Sequence, residues 1–127
     1  MKLESNWKQK SLNELEKINA GNPANEYSRL INRVLELRKT PLNQFSTEDI
    51  RFMMGQNEGL IYCITLSIDI LKEDILAEGD FYPGDILKNI LGLEKEFWIE
   101  NKNLWKEIDS LIKDKLDLIA ENGISPT

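Results

Sequence analysis

A chain of 127 residues, 41% hydrophobic and 30% charged, is long enough for one domain with a buried core and is not a disordered segment. Twenty-two acids against 16 bases leave a formal charge of −6, which argues against a nucleic-acid binder. With no histidine and one cysteine, the chain lacks the commonest general base, most transition-metal sites, any Cys–His pair and any intramolecular disulfide.

The elements predicted in chain order are helical almost throughout. Ser11-Leu12-Asn13-Glu14 has the form of a capping box, a hydroxyl at the cap and a carboxylate three residues on. Leu12, Leu15 and Ile18 stripe the short helix that follows, and Gly21-Asn22-Pro23 is expected to end it. A second helix over residues 25–38 carries Tyr27, Leu30, Ile31, Val34, Leu35 and Leu37 on a wide apolar face, and Thr40-Pro41 stops it. Ser46 opens a third, whose first turn sets Glu48 and Asp49 against the helix dipole and whose apolar side is Ile50, Phe52, Met53 and Met54. Gly55 and Gly59 break or bend the path.

Residues 60–76 form a fourth helix, apolar on most of its circumference and therefore expected at the centre. The run LIYCITLSIDIL, with four isoleucines and a tyrosine, competes as a strand; its length and helical neighbours decide for helix. A short fifth helix covers residues 85–91 and stops at Gly92, and one long last helix over 94–121 ends at Asn122-Gly123. Trp98, Trp105, Ile108, Ile112, Leu116 and Ile119 line one side of that helix, which favours core over a binding box for the two tryptophans. Trp7 sits in a polar arm expected to fold back. The expected fold is all-α: a single-domain bundle, residues 1–127, of about six helices with a long C-terminal helix.

Charge is spread unevenly. Residues 1–45 carry +3, residues 46–85 carry −7 and residues 86–127 carry −2. Such asymmetry bears on partners, not on fold. The stretch 74–87, DILAEGDFYPGDIL, concentrates it: four acids, two adjacent aromatics and Gly and Pro punctuation between apolar runs. Phe81 and Tyr82 either plug the end of the bundle or serve as interface anchors, and both hold if Phe81 points inward and Tyr82 outward.

Chemistry is sparse. No phosphate-binding glycine loop is present. Cys63, within an apolar run, reads as a buried hydrophobe before a reactive thiol. Asp69 and Glu73, one turn apart, could do carboxylate acid–base work but read first as a solvated face. Counted from Asp74, Glu78, Asp80 and Asp85 match a calcium loop in part, with Leu76 at the third position, Asp85 in place of glutamate at the twelfth, and Pro83 intruding. No cofactor is implied. The N-terminus MKLESNWKQK has no secretory apolar stretch and no window reaches the ~18 apolar residues of a membrane span, so the chain reads as cytoplasmic, with no membrane partner.

Five pieces in order carry a resemblance: Ser11-Leu12-x-x-Leu15-Glu16; Pro41-Leu42; Thr47-Glu48-Asp49-x-Arg51; Gly55-Gln56-Asn57-x-Gly59-Leu60; and Glu78-Gly79-Asp80-x-Tyr82-x-Gly84-Asp85-x-Leu87. Together they resemble the immunity proteins of bacterial contact-dependent growth inhibition (CDI) systems, over roughly residues 11–91. Ile75 stands where that pattern has a proline, which puts in doubt how sharply the fourth helix ends. The resemblance implies a non-enzymatic protein that binds and neutralises the C-terminal toxin domain of a cognate effector, often a nuclease. A nuclease site is basic, and the −7 middle third would complement it.

On that reading Glu58, Asp69, Glu73, Asp74 and Glu78, with Tyr82 as anchor, are the candidate toxin-binding residues. Arg51, Gln56, Gly79, Asp80, Gly84 and Asp85 are assigned to structure: Asp80 and Asp85 as helix caps, Arg51 as an internal partner of one of them, Gln56 as a partner of buried backbone. Direct nucleic-acid binding is not expected. The alternatives are a small carboxylate- or metal-dependent helical enzyme and a helical adaptor.

Overall fold

The structure is a computed structural model and describes residues 3–124. Its regular elements are helices: α1 (Leu12–Glu16), α2 (Arg29–Arg38), α3 (Thr47–Gly55), α4 (Leu60–Glu73), α5 (Asp85–Leu91), α6 (Lys95–Glu100), α7 (Lys102–Lys113) and α8 (Leu116–Glu121). Two short 3-10 turns, Trp7–Gln9 and Leu42–Gln44, precede α1 and α3. There is no strand among the described residues, so LIYCITLSIDIL is helical, as its length required. The chain divides into two compact units, Met1–Asp49 and Ile50–Thr127.

In the first unit the capping box forms as expected. Glu14 N–H donates to Ser11 Oγ at 3.3 Å, and Ser11 N–H donates to Glu14 Oε1 at 3.1 Å. α1 is shorter than its apolar stripe implied. Lys17 takes a left-handed conformation (φ 56°), and Ile18 N–H closes back on Asn13 O at 3.1 Å. The helix therefore stops four residues before Gly21, leaving Ile18 exposed. α2 begins after its cap Ser28, not near Asn25, because Ser28 Oγ accepts the Ile31 N–H at 3.2 Å. Its apolar face is only partly covered: Leu35 and Leu37 are buried, whereas Leu30 and Ile31 are exposed, as is Tyr27 before the helix. Trp7 folds back and is buried, and Leu42 N–H bonds to Lys10 O at 3.0 Å, tying the two 3-10 turns together.

The second unit is built around α4, which packs most extensively on α7 and also meets α5. Cys63, Ile64, Ser67, Ile68 and Leu71 of α4 are buried with Met53 and Met54 of α3, Ile86, Leu87 and Ile90 of α5, and Ile108 and Ile112 of α7. Ser67 keeps its buried hydroxyl satisfied by donating to Cys63 O at 2.8 Å. Cys63 itself is fully buried. Beyond the end of α3 Asn57 is left-handed (φ 57°), and α4 starts after a left-handed Gly59 (φ 58°); Gly55 is the last residue of α3.

The long C-terminal helix does not form. It is cut into α6, α7 and α8, so that α4 is the longest at 14 residues. At the first break Asn101 leaves helical geometry (φ −131°, ψ 52°), and its side-chain amide donates to Phe97 O at 2.8 Å, competing with the backbone ladder. A second break falls at Lys115 (φ −133°). Trp98 and Trp105 still meet, ring centroids 5.2 Å apart, but both are half-buried and not core. The expected terminus does form: Gly123 (φ 73°) donates to Ala120 O and Ile124 to Ile119 O, with Ile124 buried.

Candidate functional site

The acidic stretch after α4 is a closed loop. α4 stops at Asp74, whose backbone turns extended (φ −151°, ψ 103°), sooner than the residue 76 expected for it. Asp74 Oδ1 accepts the Leu76 N–H at 3.0 Å, starting a turn. Gly84 N–H then donates to Leu76 O at 3.0 Å, joining the two ends of the 76–84 segment. Inside sits Asp85, 3% exposed, which accepts Gly79 N–H on Oδ1 at 2.7 Å and Phe81 N–H on Oδ2 at 3.1 Å. Both are charge-assisted bonds to main chain. Asp85, expected to cap its own helix, instead holds the preceding loop from within. Gly84 is needed for two reasons: its φ of +88° is costly for any other residue, and a Cβ there would run into Ile124 Cδ1.

Both rings of the aromatic pair face outward, where Phe81 was the one expected to point inward if the two roles were shared. Phe81 is 66% exposed and Tyr82 42%, so Phe81 does not plug the bundle. The Arg51 guanidinium of α3 covers its ring, 4.3 Å from the centroid. Arg51 O in turn accepts Asn89 Nδ2 of α5 at 3.2 Å. Lys88 of α5 lies over the Tyr82 ring at 5.6 Å. Beside Tyr82 an open groove of about 430 Å³ runs between Met54, Asn57, Lys88, Asn89 and Glu94.

The other candidates separate into two places. Glu73, Asp74 and Glu78 are exposed where α4 runs into the loop, together with Asp80, and Asp69 is exposed one turn back along α4. Glu58 is half-buried at the opposite end of α4, a helix about 21 Å long by its rise per residue. The structure thus gathers Glu73, Asp74, Glu78 and Tyr82 around one loop and leaves Glu58 away from it. Gln56 is half-buried beyond the end of α3, its backbone N–H donating to Phe52 O at 3.1 Å.

Asp85 also bears on the calcium reading, since both its oxygens face main-chain N–H groups where a cation ligand would face inward to a metal. Among the described residues no three of Cys, Asp and Glu are grouped so as to hold a metal ion. Nor is any described helix long and apolar enough to cross a membrane.

Sequence reasoning missed Lys88 and Asn89 as neighbours of the loop. Their signal lay in the helical period of residues 85–91: with Ile86, Leu87 and Ile90 buried, Lys88 falls on the opposite side. No signal in the sequence marked Phe81 as the outward ring.

The family model described as CDI immunity proteins matches residues 14–108, three quarters of the chain and the whole of the loop and its supports. No curated protein and no solved structure matches it.

Proposed function

The chain belongs to the CDI immunity proteins, and from that premise we propose that it neutralises its cognate toxin by binding the toxin's C-terminal domain through the acidic end of α4 and the loop that follows. The role is stoichiometric and non-enzymatic, and it is exercised in the cytoplasm, where a delivered toxin would meet it. The observation that carries the location is the concentration of exposed carboxylates, Glu73, Asp74 and Glu78, beside an exposed Tyr82 on one loop. The proposed target is a basic nuclease domain. A site that holds phosphates presents Lys and Arg, and an acidic partner would both complement it and speed the encounter. Asp69 extends the same surface along α4; Glu58, at the far end, is its weakest member.

The test follows from which acids are structurally committed. Asp74 closes a turn through Leu76, so replacing it would disturb the loop. The double substitution Glu73→Lys and Glu78→Lys changes exposed positions alone. It should weaken binding to the cognate toxin domain at least tenfold at low salt, flatten the salt dependence, and leave the melting midpoint in place. Unchanged affinity would move the interface to another face. Degradation of plasmid DNA or RNA by the toxin domain, arrested at one equivalent of this protein, tests the nuclease assignment.

A further inference from the structure

The 76–84 loop is built in a way that a passive connection between α4 and α5 does not require. Its neck is tied by Gly84 N–H to Leu76 O, and its main chain is pinned at two points by Asp85. Arg51 backs the Phe81 ring, and Asn89 bonds the Arg51 carbonyl, so α3 and α5 brace the loop jointly. These contacts hold it from behind. Its outer side, Glu78 and Asp80 through Pro83, is exposed. Short loops closed at the neck in this manner are frequently functional.

Phe81 is the feature that the fold alone does not explain. A phenylalanine with two thirds of its surface in water forgoes most of the burial that its ring could give. One face lies against Arg51, which leaves the other face and the ring edge outward. Large aromatic side chains on a preordered backbone lose little conformational freedom on binding, which is what an interface anchor needs. The acids on the same loop and at its entrance, Glu73 and Glu78, specify the sign of whatever surrounds the ring in the partner.

We propose that the 76–84 loop is a preformed recognition knob whose Phe81 enters an apolar cleft of the cognate toxin domain rimmed by lysine or arginine. Asp85 and Arg51 are positioning residues, one for the backbone and one for the ring. This inference rests on the toxin-binding reading above and deepens it: the acids steer the encounter and set its salt dependence, while Phe81 sets how long the complex lasts.

The experiment measures association and dissociation of the full chain and the purified cognate toxin domain at low and high salt. Phe81→Ala should leave the melting midpoint unchanged and lower affinity by about 30-fold or more, through faster dissociation, with the salt slope intact. Replacing Phe81 by 4-fluorophenylalanine gives a readout independent of any loss of folding: its fluorine resonance should shift on addition of the toxin domain. Affinity within twofold of the parent, with a silent fluorine, would overturn the knob. If the Glu73/Glu78 reversal still weakened binding, the acidic surface would stand without it. If neither variant moved the affinity, both readings would fall. Self-association of the isolated chain that Phe81→Ala abolishes would assign the ring to a second copy of this chain and overturn the inference as well.

Discussion

The charged side chains buried among the described residues are Arg38 in the first unit and Asp85 in the second, and they differ in the partners they reach. Arg38 reaches two side chains. Its Nε donates to Asn13 Oδ1 at 2.9 Å and its Nη2 to Glu16 Oε1 at 2.6 Å, which ties α2 to α1. Asp85 uses main chain, the N–H groups of Gly79 and Phe81. A charge held by side chains fixes which residues must face it, and so commits two helices to each other. A charge held by main chain fixes only the path of a loop. Asp85 thus holds the loop's backbone without engaging the side chains of Phe81, Tyr82 and Glu78, which are placed outward.

The largest effect should come from breaking the first arrangement. Arg38→Met keeps much of the buried stem but removes the guanidinium, stranding Asn13 and Glu16. Removing one partner of a buried pair costs about 3–5 kcal/mol. Glu16 retains 29% of its side-chain surface and can recover water, so the expected loss is about 3 kcal/mol, at the low end of that range. Urea unfolding would show it as a lower midpoint with an unchanged slope. A loss below about 1 kcal/mol would mean that α1 and α2 hold together without the ion pair, and the contrast with Asp85 would lose its first half.

The loop offers the second test, because its path needs a left-handed glycine at its neck. Gly84→Ala should cost about 2 kcal/mol, from the positive φ together with the contact its Cβ would make on Ile124. Gly55 supplies the control. It lies in α3 with open space where a Cβ would go, so Gly55→Ala should stabilise by about 0.5–1 kcal/mol. Opposite signs for the same chemical change, read from denaturant midpoints, would locate the constraint in the neck of the loop. Equal signs would remove it.

Sequence legibility followed the same division between local and non-local causes. α5 lies at the residues its period assigned, and the Ser11 capping box and the Gly123 terminus are as read, because each is settled by a few neighbouring side chains. Where a stop lay in backbone geometry, the pattern misled. Lys17 closes α1 in a conformation that glycine would ordinarily supply, and Asn101 divides a helix whose apolar spacing continues through it. For the loop, the turn residues and acids were visible, and so was the resemblance that identified the family. The outward Phe81 was not, because its direction is set by Asp85 and Arg51, four residues on and thirty back in the chain, acting on backbone and ring.

The smallest predicted effect asks how far burial alone sets the worth of a satisfied polar group. Among the described residues, Ser11 and Ser46 head capping boxes of the same design. Ser11 exchanges bonds with Glu14, and Ser46 with Asp49, whose N–H donates to Ser46 Oγ at 3.0 Å while Asp49 Oδ2 accepts the Ser46 N–H at 2.9 Å. They differ in surroundings: Ser11 is buried and Ser46 is exposed. Ser46→Ala lets water take over the Asp49 N–H, so about 0.5 kcal/mol should be lost. Ser11→Ala strips the Glu14 N–H of its acceptor at a site that water reaches less easily, and should cost about 1–1.5 kcal/mol. Paired unfolding curves would resolve the difference. A larger loss at Ser11 would place the cap and Arg38 under one rule, in which the first unit depends on side chains meeting buried polar groups. Equal losses would confine that rule to the ion pair, and leave burial around α1 without a measurable part in it.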